Sequence, residues 1–397
     1  MKDVDWFQNT RFVPEIARAR VQNALRNYFL SLEECSRSIG LREANIYVSG
    51  SLARREPSVT LSASSGEYLL HSDVDLIAVV KDNSPLNPVH KLAALMLEKE
   101  SDFATTLFIV EEGSLSNFRS CVAHDVWSFL SDPLVRTWDI DIPAARPIVS
   151  RELYEVFIHQ LNAYLLYPHG EAKGDSKHYR PDPSVHRLKT LLESLRLLVG
   201  GIEGKAPRYG QILEKHHLHR FKGIVPEVHA RLIVRSRENY APDAVADLDV
   251  HGVARGCLQR FFGVADDIEL LEVLGKTFSG HHDVMNTFQY CVSLYLLLRH
   301  GSSETREDSA EHLWRALTEI NTEQLTDGRA AVEQLVADGP SALLDQEAMA
   351  VSKVVADLVE LRKDYYHHLG AHNFGRNPNL QYLPLDSEMS SDVSFVD

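Results

Sequence analysis

Apolar positions along the chain change period near residue 150. Before it, helical spacing alternates with short β-branched runs. Phe12, Ile16, Val21, Leu25, Tyr28 and Phe29 predict a helix over residues 10 to 39. Ile46-Tyr47-Val48 and Leu76 to Val80 are apolar runs bounded by Gly, Ser and Asp, which predicts two strands. A second helix follows Pro88 and runs to about Glu100, with Leu92, Leu95 and Met96 inward. TTLFIV at Thr105 to Val110 predicts a third strand, Leu115 to Leu130 a helix, and Val135 to Ile142 an extended segment.

After residue 150 the pattern is helical. Helices are expected over Glu152 to Leu166 and Val185 to Val199, the second capped by Ser184 and ended by Gly200-Gly201. Further helices are expected near Ala206 to His217, Pro226 to Arg237, Ile268 to Leu274, Asp283 to Leu298, Ala310 to Glu319 and Leu343 to Leu369. No strand is read there. The expectation is an α+β chain: an N-terminal domain at 1–150 with a mixed sheet, an all-α domain at 151–375, and a polar tail at 376–397.

Chemistry concentrates in Ile46 to Val80. Asp73 and Asp75 are two residues apart at the start of a strand, so their carboxylates share a face. Such a pair is a hard oxygen site suited to Mg²⁺. Gly50 lets backbone approach a ligand closely, and the residues from Ser51 can open a short helix whose N–H groups face a phosphate. Gly50-Ser51 followed by Ser72-Asp73-Val74-Asp75-Leu76 resembles the DNA polymerase β-like nucleotidyltransferase superfamily. GSLARRE and SDVDL are most similar to its minimal and antibiotic-modifying branches, over roughly Ile46 to Val110.

The resemblance implies a Mg²⁺-dependent transfer of a nucleoside monophosphate from an NTP, with ATP expected, to a hydroxyl of a small-molecule acceptor. Asp73 and Asp75 would be the catalytic metal ligands, and Gly50, Ser51 and Arg54 the nucleotide-binding residues. The family commonly carries a third acid on the next strand, where this chain has Thr106. Glu112 shares that face about 20 Å away, and Glu111 points to the other face. Asp141, then Asp139, in the later extended run are the replacements expected. The Ser-rich stretch Pro57 to Leu70 is longer than in minimal members and is expected to be a mobile loop. Helical domains beside this fold often close over the nucleotide, which makes Arg187 and Lys189 candidates to face phosphates.

Two alternatives stay open. One is a catalytically degenerate NTP-binding or antitoxin-like protein. The other is a HEPN-type ribonuclease using Arg362 and His367 on the C-terminal helix, a spacing similar to that family's Arg-x(4–6)-His; Lys363 departs from its usual Asn or Asp.

Bulk properties adjust this picture only at the edges. The chain has 397 residues and a net charge of −15, with no obvious basic footprint, which disfavours long nucleic acid. No apolar stretch approaches a membrane span and the first residues lack an apolar signal core, so a cytoplasmic location is expected. Cys35, Cys121, Cys257 and Cys291 show no CxxC spacing and are read as buried free thiols. The clusters at His216-His217-Leu218-His219, His281-His282-Asp283 and His367-His368 with His372 are read as ordinary histidines, because no Cys accompanies them.

Overall fold

The computed structural model describes residues 4–63, 65–72, 74–81, 86–98, 103, 105–114, 133–140, 150–166, 183–278, 284–320, 325, 328–345, 351, 353–355, 357–358 and 371–373. Helix α1, Glu15–Ser38, buries Ala17, Val21, Leu25, Tyr28, Phe29 and Leu32 along one stripe. Strand β1, Ala44–Val48, is buried throughout and ends at the four-residue helix α2, Gly50–Ala53. Strands β2, Val59–Leu61, and β3, Tyr68–Leu70, form an antiparallel hairpin. β4, Val74–Val80, α3, Leu86–Glu98, and β5, Thr105–Glu111, complete the N-terminal elements.

β4 pairs antiparallel with β1 and parallel with β5, so it is the central strand of a mixed sheet. A strand buried on both sides reads as a nearly continuous apolar run, and VDLIAVV does. The fourth strand comes from far along the chain. β6, Ala371–Asn373, pairs antiparallel with β5, giving the order β1-β4-β5-β6. The C-terminal region therefore returns to the sheet, which corrects the expectation that strands end with the first domain. Three residues without a β-branched run carry no strand signal.

The rest is helical: α4, Ser150–Leu165; α5, Pro183–Val199; α6, Tyr209–Ile212; α7, Lys215–Leu218; α8, Glu227–Glu238; α9, Val250–Phe262; α10, Asp267–Phe278; α11, Val284–His300; α12, Ser303–Thr318; α13, Gly328–Asp338; and α14, Ala342–Asp345. Helix α5 starts at Pro183, so Ser184 lies inside its first turn rather than just before it. Helix α9 was not expected. Its interior Gly252 and Gly256 each lower helix propensity by about 1 kcal/mol, but Asp249 caps it through Gly252 N–H at 2.9 Å and Ile224 packs 3.1 Å from where a Gly256 Cβ would sit.

Buried apolar side chains fall into two clusters, one around the sheet and α1, one among the helices from α4 onward. The N-terminal segment ties them together. Trp6, Phe7 and Val13 pack in the sheet cluster, while Phe12 lies against the helical one. Glu238, at the end of α8, accepts the Arg11 N–H at 2.9 Å and the Phe12 N–H at 2.5 Å. Burial pushes the Glu238 carboxyl up to about 7 against the pull of those two donors. Among the described residues no helix is long and apolar enough to cross a membrane. Cys35, Cys257 and Cys291 are buried and free, as expected.

Candidate active site

The two halves of the motif meet. Gly50 has φ +60°, in the left-handed region, and a Cβ built there would lie 1.9 Å from Oδ2 of Asp75 and 2.9 Å from its Cβ. Only glycine fits this position, on backbone and on space together. Ser49 N–H also donates to the Asp75 carbonyl at 2.8 Å, extending the β1–β4 ladder to the start of α2. The Gly-Ser turn is thus packed directly on the carboxylate strand. Asp75 is half-buried, while Ser49 and Ser51 are buried. The Ser49 side chain does not cap α2.

Asp73 lies outside the described residues. Its neighbour Ser72 is fixed: Ser58 N–H donates to Ser72 Oγ at 2.7 Å, and His71 N–H donates to the Ser58 carbonyl at 2.8 Å. The stretch between the two motifs is the β2–β3 hairpin. It packs on α1 and adds an ion pair between Arg20 and Glu67. This replaces the expected loose loop; alternation in Val59-Thr60-Leu61 and Tyr68-Leu69-Leu70 was too short to read.

Arg54 is turned toward the protein. Its Nε donates to Glu56 Oε1 at 2.9 Å. Glu56 is fully buried and also accepts Arg196 Nη2 at 2.5 Å and the Tyr209 N–H at 2.8 Å. Arg196, on α5, further donates to Glu193 at 2.7 Å and lies over the Tyr209 ring at 5.0 Å. Burial alone would press the Arg196 guanidinium down, but the Glu193 and Glu56 carboxylates more than offset it and hold it well above its usual value. This network joins the end of α2 to the helical region, and it engages the guanidinium proposed to reach phosphate.

His71, just before the carboxylate strand, stacks on Tyr240 with centroids 3.1 Å apart. Burial, then the Arg237 and Lys189 charges, hold its imidazole down to about 3, so it is neutral. Lys189 of α5 is therefore within electrostatic reach of the motif. Arg187 is not its companion. Two residues on a helix are about 200° apart, and Arg187 instead lies over Tyr164 at 5.9 Å, beside His251.

The third carboxylate is not found among the described residues. Thr106 is the register partner of Asp75 across β4–β5, where the acid was expected. Asp139 is misplaced. Val135 bridges Ile46, Asn45 Nδ2 donates to the Trp138 carbonyl at 3.0 Å, and Thr137 bonds Ala44, so residues 134–138 run along the outer edge of β1 toward its start. That puts Asp139 near the end of β1 opposite Gly50, about 17 Å of strand away, with its side chain 99% exposed. Asp141, Arg362 and His367 lie outside the described residues. No family model, curated protein or solved structure matches the chain.

Proposed function

We propose that the chain is a Mg²⁺-dependent nucleotidyltransferase that moves a nucleoside monophosphate from an NTP, ATP in the first instance, to a hydroxyl of a small acceptor. The observation that carries this reading is the contact between Gly50 and the Asp75 carboxylate. A left-handed glycine pressed against an acidic side chain is a demanding arrangement, and simple packing gives no reason for it. It puts backbone N–H groups and a carboxylate side by side, which is what a metal-bound polyphosphate needs. The antiparallel–parallel arrangement of β1, β4 and β5 is consistent with a polymerase β-like sheet.

The donor chemistry fits Mg²⁺. Asp75 offers hard oxygen ligands, and a side chain at position 50 would collide with its carboxylate. Asp73 and Asp75 would hold the ion, which when bound neutralises phosphate charge. The chain's own residues do the rest. The first amides of α2 have no partner inside the helix and would bind phosphate oxygens beside Ser51. Lys189 would add positive charge from the helical side, and His71, neutral and stacked, would hold the strand entrance without repelling the ion. The buried Glu56 ties the residues after α2 to α5 through Arg54 and Arg196, which would hold the motif and Lys189 at a constant spacing.

The test is Mg²⁺-dependent NTP binding by titration calorimetry. Asp73→Asn and Asp75→Asn should each abolish it while leaving the thermal unfolding midpoint within a few degrees of wild type. Undiminished binding by both variants would remove this strand from the site.

A further inference from the structure

After α5 the chain makes close turns through α6, α7 and a 3-10 turn at His219–Phe221. Three potential ligands converge there. Glu214 precedes α7, and its carbonyl accepts the His217 N–H at 2.9 Å and the Leu218 N–H at 3.2 Å. This tight backbone brings one carboxylate oxygen of Glu214 and one ring nitrogen from each of His216 and His217 within 4.8 Å of one another. Glu214 Oε2 is 3.6 Å from His216 Nε2, and the two imidazole centroids are 3.9 Å apart at 47°. In a tetrahedral site with bonds of about 2.0–2.2 Å the donors are about 3.3–3.6 Å apart. The Glu214–His216 pair already has that spacing. All three donors lie within 4.8 Å of one another, and His216, whose side chain is 67% exposed, has room to adjust its own distances.

An ordinary surface ion pair accounts for only part of this. An exposed Glu–His contact contributes little and says nothing about His217. That residue is 7% exposed, and its Nδ1 is buried with no hydrogen-bond partner. An unsatisfied buried polar atom costs about 1–3 kcal/mol. A metal–nitrogen bond would satisfy a buried imidazole nitrogen.

We propose that Glu214, His216 and His217 bind a divalent first-row transition ion of the Zn²⁺ class, with water completing the shell. Two imidazoles and one carboxylate suit zinc, nickel or copper, whereas Mg²⁺ and Ca²⁺ require oxygen ligands. The charge balance points the same way. Glu214 is the one acid of the trio, and Arg220 and His219 stand close by. Simple ionic attraction is weak there, and affinity rests on the nitrogen bonds. Arg220 is held off by the Val199 carbonyl, which accepts its Nη1 at 2.5 Å. An ion here would brace the connector that delivers the Tyr209 N–H to Glu56. The site is independent of the nucleotidyltransferase reading, and its ligands are separate from Asp73 and Asp75.

The full chain, treated with chelator and dialysed, is titrated with ZnCl₂ alone by calorimetry and by thermal unfolding. With 19 histidines in the chain, the informative quantity is the difference between variants. Wild type and Asp75→Asn should bind one ion more than His216→Ala, or bind it about a hundredfold more tightly, equivalent to about 2.7 kcal/mol. Zn²⁺ should raise their unfolding midpoint by mass action, and MgCl₂ should give no matching effect in Asp75→Asn. His216 is exposed, so its variant should fold even where His217→Gln does not. Equal zinc stoichiometry and affinity in wild type and His216→Ala, or no zinc binding by wild type, would overturn the proposal.

Discussion

Replacing Gly50 with alanine tests the contact on which the candidate site is built. The substitution adds one methyl group at a backbone φ of +60°. A left-handed conformation costs a non-glycine residue about 1–2 kcal/mol. The new Cβ would also lie 1.9 Å from Asp75 Oδ2, 2.7 Å from its Cγ and 2.9 Å from its Cβ. The carboxylate can rotate away from the first two contacts. It cannot remove the third, so backbone must also shift by a few tenths of an ångström. The combined loss is expected to be about 2–4 kcal/mol, in the range of strain plus overpacking, read as a lower urea midpoint at unchanged slope. Activity should suffer more than stability, because rotation moves the carboxylate that would hold the ion. A double-mutant cycle isolates the cause. In an Asp75→Ala background Gly50→Ala should cost at least about 1 kcal/mol less than in wild type, the 2.9 Å contact and the φ penalty remaining. Equal cost in the two backgrounds would mean that the methyl group does not meet Asp75 and that Gly50 does not pack against its carboxylate.

Arg196→Met should cost about 3–5 kcal/mol, because it leaves the Glu56 and Glu193 carboxylates buried without their shared counter-charge; denaturation at the cost of an ordinary surface substitution would contradict this. Lys189→Met should weaken NTP binding about tenfold with Arg187→Met near wild type, and equal effects would show that α5 does not present one cation to the motif. His71 and His300 are held down to about 3 and about 4, in each case by burial first. Their folded state resists the proton that the unfolded chain takes near 6.5, so their contribution is fully present above pH 6.5 and is lost as pH falls through about 4 for His300 and about 3 for His71. Glu238 has the opposite sign: raised to about 7, it contributes below about 4.5 and loses that contribution as pH rises through 7. His300→Gln should therefore flatten the acid limb of stability, and Glu238→Gln should flatten the rise toward lower pH between 7 and 4.5; unchanged profiles would show that these side chains are not buried as described.

The sheet strands β1, β4 and β5 were legible because buried strands are built from β-branched and apolar runs, and these residues appear as such. Gly50 and Asp75 were legible because their chemistry is in the residue types. Their contact was not, since it depends on the antiparallel β1–β4 register and on the left-handed backbone at Gly50. Pairings across long stretches of sequence left no local trace: Glu56 with Arg196 is 140 residues apart, and β6 joins β5 from the far end of the chain. Helical geometry already separates Arg187 from Lys189, but which of them faces the motif follows from the packing of α5. Asp139 was legible as part of an extended segment; that the segment docks on the outer edge of β1 was decided by Asn45 and Thr137, whose bonds to it look like nothing in the sequence. His216 and His217 were read as ordinary histidines because no Cys accompanies them; spacing alone could not show that Glu214 lies beside them or that His217 is buried with an unsatisfied nitrogen.

The central claim is that Asp73 and Asp75 serve nucleotide transfer beside Gly50. The most direct measurement is pyrophosphate release when the protein is mixed with Mg²⁺, each of the four NTPs and a panel of hydroxyl-bearing small molecules, with mass spectrometry of the acceptors. Release is expected with at least one acceptor, together with a product heavier by one nucleoside monophosphate, and both should be lost in EDTA and in Asp75→Asn. NTP binding with no transfer to any acceptor would identify a nucleotide sensor instead, and metal-independent RNA cleavage that survives Asp75→Asn but not His367→Ala would move the active site to the C-terminal region.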